Sequence, residues 1–490
     1  AADGAAADGA VAGRADGGAR VCATWFRQLL PEHQAGEKDL ILSALAQHSR
    51  WHSAIKDLIP KHKMKLSCTV SEDGTLVGSH LSLHNDSKLI KLAKDFGFPR
   101  GFCVVAEKAG GRLVGQGTFY PKFANDDRNA GFSASDFGGV SKISCFLKYS
   151  GSTGIITILR TPDGRVTGWT GSSKNSCNHS SPDDGSFSYA REVAGVFGAH
   201  ATEGFLRWCE RRRVTSLGLE VFIHSDQSHG YGYAASGCIV TAVCVEGSGD
   251  GRPTYLGPEE MFAACRDAGL PTDRPIMIEG EPSIQAFVES ISAVRDFLTL
   301  DSLRRLLQER CGIEMETLHD QLVESQIVEG FVIRRWKDEV EVASVKFKVW
   351  LYQMVTQVLR PSLNGGARGP MQSLKAPTGE LRQDFLKLVD REVPHWCVAS
   401  SPAGLALCQR VVLLAAEGCL PHDHPQLRWS AAGGGAFPAG AEVPAGCVAR
   451  SPDRAYWIAL GDRAVSQLLE AMSLSADADG AFDAALKALG

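Results

Sequence analysis

The chain has no C-x-x-C pair. Its 14 cysteines are scattered over 490 residues, which reads as reduced core thiols in a reducing compartment rather than a disulfide framework. The nearest pair, Cys238 and Cys244, lacks zinc-ligand spacing and is assigned to packing. No run of about 18 apolar residues occurs, so no transmembrane helix is expected. No G-x-x-x-x-G-K-[ST] segment occurs, so no P-loop kinase is expected. The formal net charge of -5 is small. It argues against a global attraction to nucleic acid and leaves room for a local basic groove. What is present, 44% apolar and 22% charged residues, suits a soluble globular protein of two or three domains.

Residues 1–21 are mostly Ala, Gly and Asp and are expected to be a low-complexity tail. They have no apolar signal-peptide core, and their acidic content argues against a trimmed organelle address. The chain begins on alanine, as a fragment of something longer would. Residues 22–60 carry apolar groups at roughly helical spacing (Trp25, Phe26, Leu29, Leu30, Leu40, Leu42, Leu45). Short strands are predicted at Leu66–Val70, Leu76–Val77, Phe102–Ala106 and Leu113–Phe119. Residues 142–170 read as hairpin-connected strands at Ile143–Leu147, Ile155–Leu159 and Val166–Trp169. One long helical stretch is predicted over Phe187–Arg213, a strand at Leu217–Ile223, and a mostly helical insert at about 257–325 with Asp301 as a cap. Strands return at Ile327–Arg334 and Val340–Phe347. A Pro- and Gly-rich linker follows at Pro361–Pro370, and residues 371–490 form a separate C-terminal domain. The pattern predicts an α+β fold with antiparallel sheets flanked by helices.

Three short segments carry chemistry. Phe146-Leu147-Lys148-Tyr149-Ser150-Gly151 ends an apolar run on a lysine, with a glycine three residues on. A lysine amine titrates at about 10.4 and becomes nucleophilic only when desolvated or set beside other cations. Glu329-Gly330-Phe331-Val332 puts a carboxylate at the start of a strand, where a divalent metal would offset its repulsion from a phosphate. Lys346 and Lys348 alternate along a strand, so both face one side and Phe347 the other. Two like charges on one face invite a phosphate. Glu220, in an apolar strand, needs a ribose hydroxyl, a metal or an internal ion pair as partner. Weaker candidates are Trp208 with Arg211–Arg213 (an RNA-phosphate patch or a helix end), the Cys419/His422/Asp423/His424 cluster, and Tyr231, which would stack on adenine or fill a strand.

In this order the motifs resemble those of the ATP-dependent RNA ligases, within the covalent nucleotidyltransferase superfamily, over residues 95–350. The likeness is to the phage-type and fungal tRNA-type branches. The resemblance implies a nucleotidyltransferase (ATP-grasp-like ligase) core over residues 22–360. It implies Lys148 as the nucleophile that becomes lysyl-AMP, with Gly151 completing K-x-x-G. Arg100-Gly101-Phe102 resembles the family's upstream Arg-Gly segment, and Pro121-Lys122-Phe123-Ala124-Asn125 resembles its Pro-Lys-Phe-Phe-Asn segment. Arg100, Lys122, Gly151, Glu220, Lys346 and Lys348 are thereby implied in binding ATP, and Glu329 in binding Mg²⁺ or Mn²⁺. The implied partner is RNA with 5′-phosphate and 3′-hydroxyl ends, in RNA repair or tRNA splicing, in an intracellular compartment (cytoplasm, nucleus or organelle) and without a membrane. Two departures stand out: Ser150 precedes the motif glycine, where relatives carry Asp or Asn, and Ala124 replaces an aromatic. Two other readings are a GTP-using capping-type transferase and a non-catalytic RNA-binding relative.

Overall fold

The computed structural model describes residues 21–29, 34–46, 64–83, 99, 101–120, 132, 134–149, 151–180, 188–223, 236–247, 254–293, 300–315, 328–337, 340–349 and 383–396. In chain order its elements are β1 (Phe26–Gln28), α1 (Gln34–Ala46), β2 (Met64–Ser71), β3 (Leu76–Leu83), β4 (Phe102–Glu107), β5 (Leu113–Thr118), β6 (Lys142–Lys148), β7 (Ser152–Arg160) and β8 (Val166–Ser173). Then come α2 (Tyr189–Phe197), α3 (Glu203–Arg212), β9 (Val214–Phe222), β10 (Gly237–Val245), β11 (Thr254–Tyr255), α4 (Pro258–Asp267) and β12 (Ile276–Glu279). The last are α5 (Glu281–Ala293), α6 (Leu300–Cys311), β13 (Gly330–Lys337), β14 (Val340–Lys348) and α7 (Gln383–Trp396). The fold class is α+β, with antiparallel strand pairs and flanking helices, as the alternation of strand-like and helical patterns predicts.

The described residues fall into two compact units. The first draws on 1–122, 153–219 and 238–272, and the second on 123–152, 220–237 and 273–490. The first unit holds a five-stranded sheet in the order β1-β2-β3-β4-β5 and a second in the order β11-β10-β9-β7-β8. Strand alternation splits β3 and β4 into two apolar faces. Val77, Leu81, Phe102, Val104 and Ala106 pack against Ile41 and Ala44 of α1. Cys103 and Val105 point the other way, to Phe26, Leu159 and Cys177.

The second unit is built on a four-stranded sheet, β12-β6-β13-β14. One face of it is core. Phe331, Phe347 and Ile333 are fully buried with Phe287 of α5, and Phe132 lies 4.6 Å from Phe347 between ring centroids. Burial of each such ring contributes about 2–3 kcal/mol, enough to fix the sheet's inner face and leave its other face for polar groups.

Several sequence expectations need correction. Residues 26–28 are a strand paired with β2, not the start of a helix. The segment before β7 is not a hairpin turn: β6 pairs with β12 and β13, and only β7 and β8 form the hairpin. The long helix is two helices. Thr202 accepts the Phe205 N–H and caps a new helix start, and the chain between Gly198 and Thr202 is non-helical. Asp301 lies inside α6, which begins at Leu300, and the expected helical insert contains a strand, β12. Cys238 and Cys244 are buried on β10, and the ten described cysteines are all free thiols. No helix among the described residues is long and apolar enough to cross a membrane.

Candidate active site

Strand register builds the site. On the central strand β13, Gly330 lies opposite Lys148 of β6 on one side and Lys348 of β14 on the other. Glu329 immediately precedes Gly330, so its carboxylate emerges between two lysines that are far apart in sequence. Only glycine fits at 330. Its φ is +144°, and an added Cβ would sit 2.0 Å from the Phe347 carbonyl oxygen. The Glu-Gly pair is thus a backbone requirement of the strand start as well as a chemical motif.

The Lys148 Nζ lies 2.8 Å from Glu329 Oε1 and 3.8 Å from Glu220 Oε1. Lys348 Nζ reaches the same Glu329 oxygen at 3.3 Å. Glu329 is only 4% exposed. Burial pushes its carboxyl up, but the charges of Lys148 and Lys348 and their hydrogen bonds outweigh this and hold it below the usual carboxylate range. Among the described residues, the carboxylates of Glu329 and Glu220 reach the Lys148 nitrogen.

Residues in register, and residues two apart, share a face. Lys148, Phe146, Lys346 and Lys348 therefore line one face with Val332 and Arg334, opposite the phenylalanine core. Arg334 is buried, its guanidinium 5.8 Å from the Phe146 ring centroid and 3.7 Å from Glu341. Gly151 fits the same logic as Gly330. Its N–H donates to Glu220 Oε1 at 3.1 Å, and an added Cβ would lie 2.6 Å from the Val221 carbonyl oxygen. Glu220 thereby has internal partners, Gly151 and Lys148, which was one of the alternatives open to it. Between them, Tyr149 is buried, its hydroxyl donating to Asp273 and its ring 5.4 Å from Phe222.

Of the residues expected at the site, Lys148, Gly151, Glu220, Glu329 and Lys348 come together, and Lys346 shares their sheet face. Arg100, Lys122, Tyr231 and the Cys419/His422/Asp423/His424 cluster lie outside the described residues, as do residues 397–490. Trp208 is 3% exposed and belongs to the core. Arg212 and Arg213 are ion-paired to Asp267 and Glu246 at the end of α3, the helix-end alternative. Tyr149, Asp273 and Arg334 were not anticipated.

No protein-family model matches the chain, and no curated protein matches it by sequence. Its fold is distantly similar to solved ligases. An archaeal ATP-dependent RNA ligase is 13% identical, with a TM-score of 0.42 over 75% of this chain and 77% of that one. A DNA ligase from Aquifex aeolicus, described as ATP-dependent, is 12% identical, with a TM-score of 0.32 over 75% and 72%. A Naegleria gruberi RNA ligase is 11% identical, with a TM-score of 0.31 over 58% and 90%. The likenesses thus span RNA and DNA ligases.

Could a divalent cation be held here? Among the described residues no three His, Cys, Asp or Glu side chains cluster as a metal cage. Magnesium does not need one, because it is commonly bound by one or two carboxylates with water and substrate phosphates. Glu329 and Glu220 both lie within 4 Å of the Lys148 nitrogen, a hard-oxygen donor pair that suits this mode.

Proposed function

We propose that the chain is an ATP-dependent RNA ligase that adenylylates Lys148 and uses the AMP to join 5′-phosphate and 3′-hydroxyl RNA ends. The observation that carries this reading is the convergence of Lys148 and Lys348 on the buried carboxylate of Glu329. A lysine held beside a carboxylate pair, on a sheet face bearing further cations, is equipped to attack a polyphosphate whose negative charge the other lysines offset.

Lys148 passes its ammonium proton to water, and its nitrogen bonds to the α-phosphorus of ATP as the bond to the β-phosphate oxygen breaks. Pyrophosphate leaves, and a phosphoramidate remains. Lys346 and Lys348 provide the positive charge that faces the phosphates. Glu329, with Glu220, would hold Mg²⁺ or Mn²⁺, which when bound neutralises phosphate charge. AMP then passes to an RNA 5′-phosphate as a 5′–5′ pyrophosphate. A 3′-hydroxyl attacks that end, the phosphodiester forms, and AMP departs. The choice of RNA rests on Arg100-Gly101-Phe102 and Pro121–Asn125, and the choice of ATP on the motif order.

The test is incubation with labelled ATP and, separately, labelled GTP, followed by denaturing electrophoresis. The wild-type chain is expected to retain AMP and Lys148→Ala none. GMP transfer without AMP transfer would overturn the assignment in favour of a capping-type enzyme. RNA binding with neither adduct would leave a non-catalytic relative. Joining of 5′-phosphate to 3′-hydroxyl RNA completes the assay.

A further inference from the structure

The backbone that carries Lys148 is anchored by Tyr149, an unspecified position of K-x-x-G, and by Asp273, which lies outside every motif. β12 pairs antiparallel with β6, with Ile276 opposite Cys145 and Glu279 opposite Lys142. Extended three residues beyond Ile276, that register brings Asp273 level with Lys148. There Asp273 accepts a hydrogen bond from the hydroxyl of Tyr149, across 124 residues of sequence. The Tyr149 ring is buried against Phe222. Its backbone carbonyl accepts from Lys148 Nζ at 3.3 Å. Among the described residues the Lys148 nitrogen meets oxygens of Glu329, Glu220 and Tyr149, the last being the residue that Asp273 fixes.

We infer that Tyr149 and Asp273 form a positioning clamp, which fixes the carbonyl against which the Lys148 amine is aimed and so sets its line of attack. Neither is a catalytic residue, since both act through Lys148. The inference rests on the adenylation reading and adds to it a rate-setting contact that the motifs do not specify. A carboxylate is not needed for its own charge. It is needed as an acceptor at the right place, and an amide oxygen can serve. Burial raises the Asp273 carboxyl to about 6, opposed by the Tyr149 hydrogen bond.

The experiment measures single-turnover lysyl-AMP formation over a range of ATP concentrations in full-length variants. Tyr149→Phe and Asp273→Ala are expected to lower the maximal rate at least tenfold with the half-saturating ATP concentration unchanged. The double variant should be no slower than either single one. Asp273→Asn, which keeps an acceptor, is expected to restore most of the rate. A wild-type rate for Tyr149→Phe, or equal losses for Asp273→Asn and Asp273→Ala, overturns the clamp. Thermal midpoints are read in parallel, and a rate loss that simply tracks them also counts against it. If the wild-type chain forms no AMP adduct, the adenylation reading has failed. The clamp is then judged by acylation of Lys148 with an amine-directed N-hydroxysuccinimide ester, mapped by mass spectrometry. A change of threefold or more in Lys148 labelling in Tyr149→Phe, relative to Lys346, supports the clamp, and an unchanged ratio refutes it.

Discussion

Glu329 and Asp273 are both carboxyls with restricted access to water, yet they titrate in opposite directions. Glu329 lies between Lys148 and Lys348 and is held below the usual range. It stabilises the fold above about pH 4.5, the ordinary glutamate value, and that stabilisation is lost as the pH falls through its lowered folded value. Asp273 has only the Tyr149 hydroxyl to set against burial, and rises from 3.8 to about 6. Its contribution is fully present below pH 3.8 and is lost as the pH rises through about 6. Ionised Asp273 therefore costs stability at neutral pH. Asp273→Asn removes that cost and keeps the hydrogen-bond acceptor, so it should stabilise the protein at pH 7.5 by about 1–2 kcal/mol. The gain should fade as the pH drops below about 6. Urea unfolding at several pH values measures it, and a flat or reversed difference would contradict the origin given for the Asp273 shift.

At the level of the strand, β13 organises the site because it runs between two lysine-bearing neighbours. Gly330 is the point of greatest constraint. Gly330→Ala sets a methyl group against the Phe347 carbonyl in a backbone region that L-residues avoid. It should destabilise the protein by about 3 kcal/mol or more, read as a fall in urea midpoint. An alanine variant with wild-type stability would mean that β13 and β14 are not registered as described. Most strands were legible in the sequence, because a short apolar run such as Phe102–Ala106, or the alternation along Val345–Lys348, is a local signal. The grouping of Lys148, Glu329 and Lys348 was legible only as an order of motifs. What escaped was long-range pairing. Nothing in the residues around Ile143–Leu147 shows that β6 leaves its neighbour β7 for β12 and β13. Nothing local announces that Asp273 meets Tyr149, because one unmotivated aspartate after Pro271 and Thr272 carries no period. The two-helix break at Gly198–Thr202 was available in principle, since a glycine followed by a threonine cap is a stop and a start.

For the molecule as a whole, the formal charge of -5 coexists with a sheet face carrying Lys148, Arg334, Lys346 and Lys348. In the proposed reading that face is where polyphosphate is drawn. A ligand that binds only the folded chain stabilises it by about 2.7 kcal/mol at a hundredfold excess over its Kd. ATP should therefore raise the thermal midpoint of wild type. The rise should be lost in the Lys346→Ala/Lys348→Ala double variant, with differential scanning fluorimetry as the readout. An equal rise in both would move the phosphates away from β14. The path of the chain has a practical consequence. It passes between the two units five times, at 122/123, 152/153, 219/220, 237/238 and 272/273. Gly151, Glu220 and Asp273 each sit within two residues of one of these passages. A fragment starting at Asp273 would keep β12, β13 and β14 but forfeit Lys148, and a fragment ending before it would forfeit Glu329. Dissecting this protein by truncation separates Lys148 from Glu329 wherever the cut falls between them, so co-expressed complementary pieces are the form that dissection must take.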